Sequence, residues 1–132
     1  MIAEGAPKLS STLTPQSPIG TFGVPPLQVT VTHLAQAVPV VRVAGELDML
    51  TESLLEEHLR KHLVALPKRL IVNLSEVSFL GASGLGVLVR IRDAAARQDT
   101  RLQLSGTSRR IVARPLKITG LEDMFEVLPV IQ

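Results

Sequence analysis

Val77-Ser78-Phe79-Leu80-Gly81-Ala82-Ser83-Gly84-Leu85-Gly86 joins a β-branched and aromatic run to a helical pattern through a serine bracketed by glycines. It reads as strand, tight junction and helix in immediate succession. That order sets one hydroxyl at an exposed helix N-terminus, where backbone N–H groups lack intrahelical partners and the helix dipole is positive. Such a place suits an anion, a phosphoryl group or a partner protein.

Working outward, Leu27, Val29 and Val31 alternate with Gln28, Thr30 and Thr32, the period of a half-buried strand. Val38 to Gly45 is a second strand, and a short loop near Gln36 makes the pair a hairpin. Asp48 or Thr51 is placed to cap a helix that runs to about Leu66, with Leu55, Leu59, Leu63 and Leu66 as its apolar stripe and Pro67 as its stop. Arg69 to Leu74 is a buried strand that leads through a turn at Ser75–Ser78 to the glycine-rich junction. Gly84 to Gln98 is the second helix, apolar along Gly84, Val87, Leu88, Ile91 and Ala95. Arg101 to Ser105 alternates again as a short strand. Thr107 or Ser108 caps a third helix, in which Pro115 removes a hydrogen bond and predicts a kink or a late start. Gly120 ends it with a left-handed cap, and Leu121, Met124, Phe125, Val127 and Leu128 form a terminal packing segment. Two strands followed by alternating helices and strands predict an α/β fold, a mixed β-sheet of about four to five strands with packed helices.

Residues 1–26 read as a disordered or extended N-terminal tail, because five prolines interleave there with Ser and Thr and few large apolar side chains offset the ordering entropy. Residues 27–132 form the domain. The 132 residues are 45% hydrophobic, enough for a core, yet Tyr and Trp are absent and Phe numbers 3. The core is therefore aliphatic, and base stacking is nearly unavailable, which argues against binding single-stranded nucleic acid. A formal charge of +2 does not make a basic face. The densest cationic cluster, Arg109, Arg110, Arg114 and Lys117, reads as a solvated helix face. Without cysteine there is no disulfide or thiolate chemistry. No apolar run approaches the ~18 residues of a membrane span, and the N-terminus has no secretory pattern, so the expected location is the cytoplasm.

Enzyme readings fail on particular residues. Gly81-Ala82-Ser83-Gly84-Leu85 has Leu85 where a nucleophile elbow needs glycine, and His33, His58 and His62 all precede the serine. His58 and His62 have metal-ligand spacing on one helix, but no Glu follows His58 and no third ligand is evident, so no metal is expected. Gly81, Gly84 and Gly86 match neither the dinucleotide fingerprint nor the P-loop, and no cofactor is expected.

The order Gly45-Glu46-Leu47-Asp48, Val72-Asn73-Leu74-Ser75, the Val77–Gly86 stretch and Ile118-Thr119-Gly120-Leu121 resembles the STAS domain of anti-sigma factor antagonists, across roughly residues 27–128. The resemblance implies a STAS-like α/β sandwich and a protein that is not an enzyme. It implies a partner, an anti-sigma factor of the GHKL serine-kinase type. In that family the unphosphorylated antagonist binds the anti-sigma factor and frees the sigma factor, and phosphorylation of a serine at the helix start breaks the complex. A phosphoryl group there adds about −1.5 to −2 charge to an apolar contact surface.

This chain departs from the pattern at the switch. The usual phospho-acceptor matches Ala82, its usual acidic neighbour matches Gly81, and Asn73 stands where Asp is common. Ser83 matches the second hydroxyl, which serves helix capping. Either the protein is a constitutive antagonist, regulated elsewhere, or Ser83 or Ser78 has become the acceptor. A hydroxyl engaged in capping favours the first. The expected partner-binding residues are Gly81, Ala82, Ser83, Gly84 and Leu85, with Val89 and Arg92 on the following turns and Glu46 and Asp48 at the border. Capping of the first helix is an equal claim on Asp48. The chain is expected to be a monomer or weak homodimer with no direct contact to nucleic acid or membrane. The alternative is a STAS adaptor, or a module sensing a nucleotide or lipid, in a signalling or transport assembly.

Overall fold

A computed structural model describes residues 26–129. The expected tail falls almost wholly outside the described residues; Pro26 is described, and its carbonyl accepts the Glu46 N–H at 2.8 Å. Among the described residues the elements are β1 (Leu27–Leu34), β2 (Val38–Leu47), α1 (Glu52–Leu63), β3 (Arg69–Leu80), α2 (Ala82–Ala96), β4 (Arg101–Ser105), α3 (Arg110–Ile118) and β5 (Glu126–Val127). The strands form one five-stranded sheet in sequence order. β1 and β2 are antiparallel, and the remaining pairs are parallel, as helical crossovers require.

The alternating strands supply one core face. Leu27, Val41, Val43, Leu70, Val72, Leu102 and Leu104 join Leu55 and Leu59 of α1, Leu88 and Ile91 of α2, and Val112 and Leu116 of α3 in a single apolar cluster. Phe125, 7% exposed, is the aromatic residue of that cluster. The core is aliphatic, in keeping with the composition.

The expected turn at Ser75–Ser78 is not there. β3 runs unbroken to Leu80, and its register against β2 slips twice, between Arg42 and Ala44 and between Gly45 and Glu46. Each slip inserts a residue into β3 and reverses which side chains face inward. Val77 thereby turns into the core and Leu80 after it, while Glu76, Ser78 and Phe79 point outward. The polar residues that read as a turn are bulge residues.

Other boundaries shift for local reasons. α1 stops at Leu63, and Leu66 leaves it with φ +54° and 67% exposure, because a residue before proline avoids the helical region. α2 starts at Ala82, two residues earlier than expected, and ends at Ala96. α3 starts late, at Arg110, with no side-chain cap, so neither Thr107 nor Ser108 holds it; its span continues through Pro115. The chain reaches α3 through Gly106, whose φ of +69° lets the backbone pass against Ser75 and Asn73. Gly120 takes the expected left-handed conformation, with φ +75°.

Candidate functional site

The end of β2 and the start of α2 are built as one unit. The Gly81 N–H donates to the Leu47 carbonyl at 2.9 Å, and Leu85 N–H closes the first helical turn on the Gly81 carbonyl at 3.1 Å. Gly81 is the N-cap residue in extended conformation, and no side chain caps the helix. The N–H groups of the first turn therefore face outward, with the positive end of the helix dipole.

Ala82 occupies the first helical position and is exposed; Ser83 beside it is half-buried. The capping role expected for Ser83 is not observed: its position is the second in the helix, two residues past the N-cap Gly81. Gly84 and Leu85, expected to touch a partner, are buried, Leu85 at 6% exposure within the core. They fix the helix against the sheet, and of the five junction residues expected at the contact only Gly81, Ala82 and Ser83 remain accessible. Val89 is half-buried against the core. Arg92 is tied down: its Nε donates to the Met124 carbonyl at 2.8 Å, and Nη1 lies 3.2 Å from Asp93.

Asp48 serves the loop between β2 and α1. Its Oδ1 accepts the N–H of Leu50 at 2.9 Å and of Thr51 at 3.2 Å. The Thr51 hydroxyl accepts the Asp48 N–H at 3.1 Å and donates to the Glu46 carbonyl at 2.6 Å. Thr51 is the N-cap residue of α1, but neither its side chain nor that of Asp48 caps the helix; the two expected caps brace the loop that precedes it. Glu46 is exposed at the border.

That rigid loop lifts Met49 and Leu50 into solvent at 79% and 74% exposure, two and three residues after Leu47. Phe79 is 48% exposed, and its ring lies 3.0 Å from where a Gly81 Cβ would stand. Exposed apolar side chains thus occur on both segments that meet the start of α2: Phe79 beside Gly81, and Met49 and Leu50 in the loop after Leu47, whose carbonyl holds Gly81. The sequence offered a signal only in Met49-Leu50, an apolar pair between a cap and a strand end; the outward turn of Phe79 depends on the second bulge. Exposed apolar side chains clustered around a helix terminus suit a protein contact.

Glu52 and Glu56 of α1 hold Arg90 of α2, with Nη2 2.8 Å from Glu56 and 3.5 Å from Glu52. The Arg90 guanidinium keeps the Glu56 carboxyl below its ordinary range. On the far side of α1, His58 and His62 are half-buried, and the His62 ring meets that of His33 edge to face at 6.5 Å. Burial pushes both His58 and His62 below the ordinary imidazole value. Among the described residues no group of three His, Cys, Asp or Glu is placed to hold a metal ion. No helix there is long and apolar enough to cross a membrane.

The STAS domain model matches residues 28–132. The anti-sigma-B factor antagonist of Staphylococcus aureus (strain NCTC 8325 / PS 47) is 39% identical over 87 residues, 66% of this chain and 80% of that protein. Among solved structures, an anti-sigma factor antagonist from Mycobacterium paratuberculosis superimposes with a TM-score of 0.72 at 28% identity, over 80% of this chain and 87% of the other. A variant of RsbS from Moorella thermoacetica shares the fold at a TM-score of 0.66 and 20% identity, over 80% and 89% of the two chains.

Proposed function

The chain belongs to the STAS domain family, and from that premise we propose that it is an anti-sigma factor antagonist: it binds an anti-sigma factor and so releases a sigma factor for transcription. The observation that carries this reading is the exposed Ala82 at the start of α2, between half-buried Gly81 and Ser83, together with the exposed Phe79 beside Gly81 and the exposed Met49 and Leu50 in the loop after Leu47. The similarity to the Staphylococcus aureus antagonist supports it. The partner is an anti-sigma factor of the GHKL serine-kinase type, the setting is the cytoplasm, and the protein itself catalyses nothing.

Ala82 carries no hydroxyl at the position most open to a kinase. The antagonist is therefore competent to bind without a dephosphorylation step at that residue. Ser83, half-buried, and Ser78, exposed on β3, are the hydroxyls a kinase would meet nearby.

The test is calorimetric titration against each purified GHKL-type anti-sigma factor of the source organism, with ADP and then with ATP. Binding in both states is the expected result. Binding with ADP that is lost with ATP, with phosphate mapped to Ser83 or Ser78, replaces the constitutive form with a displaced acceptor. Binding to none overturns the reading, and a melting temperature raised by a nucleotide or lipid would then favour the ligand-sensing alternative.

A further inference from the structure

Beside the start of α2, the outward-facing end of β3 and one face of α3 enclose a groove of about 580 Å³. Phe79 lines it from β3, and Ile111 and Ile118, seven residues apart, line it from α3. The groove follows the nine residues of α3, a length of ~13 Å at 1.5 Å rise per residue. Its rim carries Arg110 and Arg114. Both are exposed, and neither lies within salt-bridge distance of a carboxylate among the described residues. Arg109 differs, since its guanidinium donates to the Ser75 carbonyl.

Two features narrow the occupant. Ile118 is 69% exposed and Phe79 48%, so the groove is shallow. A cavity that encloses an acyl chain buries most of its lining, whereas a shallow apolar strip is covered well by a helix laid along it. The unpaired guanidiniums call for carboxylates on that helix, which their planar fork binds in two-pronged fashion. Phe79 belongs both to this groove and to the rim of the α2 terminus, so the two surfaces are continuous.

We propose that this groove is a second part of the anti-sigma factor docking surface, and that it receives an acidic amphipathic helix of the partner, with apolar side chains on Phe79, Ile111 and Ile118 and carboxylates on Arg110 and Arg114. The proposal rests on the antagonist reading and adds to it the chemistry of the partner segment. Residues expected to be a merely solvated cationic face become the ones that select the partner by charge.

The experiment is titration of four proteins against each purified GHKL-type anti-sigma factor of the source organism, at two salt concentrations: the wild type, two groove variants (the double variant Arg110→Glu/Arg114→Glu, and Ile118→Asp), and Ala82→Glu as the control at the start of α2. Circular dichroism and melting temperature establish that the variants fold; all the substituted side chains are exposed. The expected result is a loss of about ten-fold or more in affinity for both groove variants, with a shallower salt dependence for the charge reversal. A Glu→Arg substitution in the partner's acidic helix should restore binding to the charge-reversed protein. If the wild type binds, Ala82→Glu abolishes binding, and both groove variants bind within two-fold of wild type, the groove proposal falls and the antagonist reading stands. If the wild type binds no anti-sigma factor, the antagonist reading itself falls. Co-sedimentation of the wild type with phosphatidylglycerol vesicles, lost in the double variant while anti-sigma factor binding is kept, would assign the groove to a membrane surface and overturn the proposal.

Discussion

Gly84 packs directly on Leu47: a Cβ added to Gly84 would stand 2.9 Å from the Leu47 Cβ and 3.3 Å from the Leu47 carbonyl oxygen. That same oxygen accepts the Gly81 N–H. One residue of β2 thus locates the first turn of α2, and the glycine is what permits the approach. Gly84→Ala gains ~1 kcal/mol of helix propensity but forces backbone apart, and overpacking costs ~1–3 kcal/mol. The expected net is a destabilised protein in urea unfolding. Gly86→Ala is the contrast, since its Cβ would meet only Arg90 Nη1, at the far end of an exposed side chain, at 3.3 Å; it should raise stability by up to ~1 kcal/mol.

Ala82 separates stability from binding. A carboxylate at the first helical position complements the dipole by ~0.3–1 kcal/mol, so Ala82→Glu should melt no lower than wild type. The same charge in an apolar contact should abolish anti-sigma factor binding. Ala82→Ser should create an acceptor: incubation with the kinase and ATP should put phosphate on residue 82, and phosphopeptide mapping reads it directly.

The half-buried imidazoles of His58 and His62 make stability depend on pH near neutrality. Burial lowers both below the ordinary 6.5, so the unfolded chain binds more protons than the folded one as pH falls below about 6.5. Stability is therefore complete above that value and declines below it, levelling off once the folded imidazoles are also protonated. Urea midpoints at pH 7.5 and pH 5 should differ, and the His58→Gln/His62→Gln variant should reduce the difference.

Arg92 anchors the segment after α3 through its bond to the Met124 carbonyl. Arg92→Ala should speed amide exchange between residues 121 and 128, with little effect on the exchange of β2 and β3. An unchanged exchange pattern would show that buried Phe125 and the pairing of β5 with β4 hold the segment without Arg92.

The period-two and helical patterns were legible because burial imposes them on the sequence: Val41 and Val43, Leu55 and Leu59, and Leu102 and Leu104 all face the core as their spacing requires. The left-handed cap at Gly120 was legible because few residues allow that backbone, and the junction at Gly81, an ordinary extended residue, because the apolar period changes across it. Local pattern by itself therefore determined the α/β class, the approximate position of each element and the strand-to-helix junction on which the candidate site is placed. Which side chains reach the surface was decided only in three dimensions. The two slips of β3 against β2 turned Phe79 outward and Val77 inward, and a slip is a property of two strands paired, not of either strand's sequence. Gly84 was drawn inside against Leu47 and Leu85 into the core cluster, and α3 was brought beside Phe79 to make the groove. Those contacts join residues far apart in the chain, where no local spacing carries their signal.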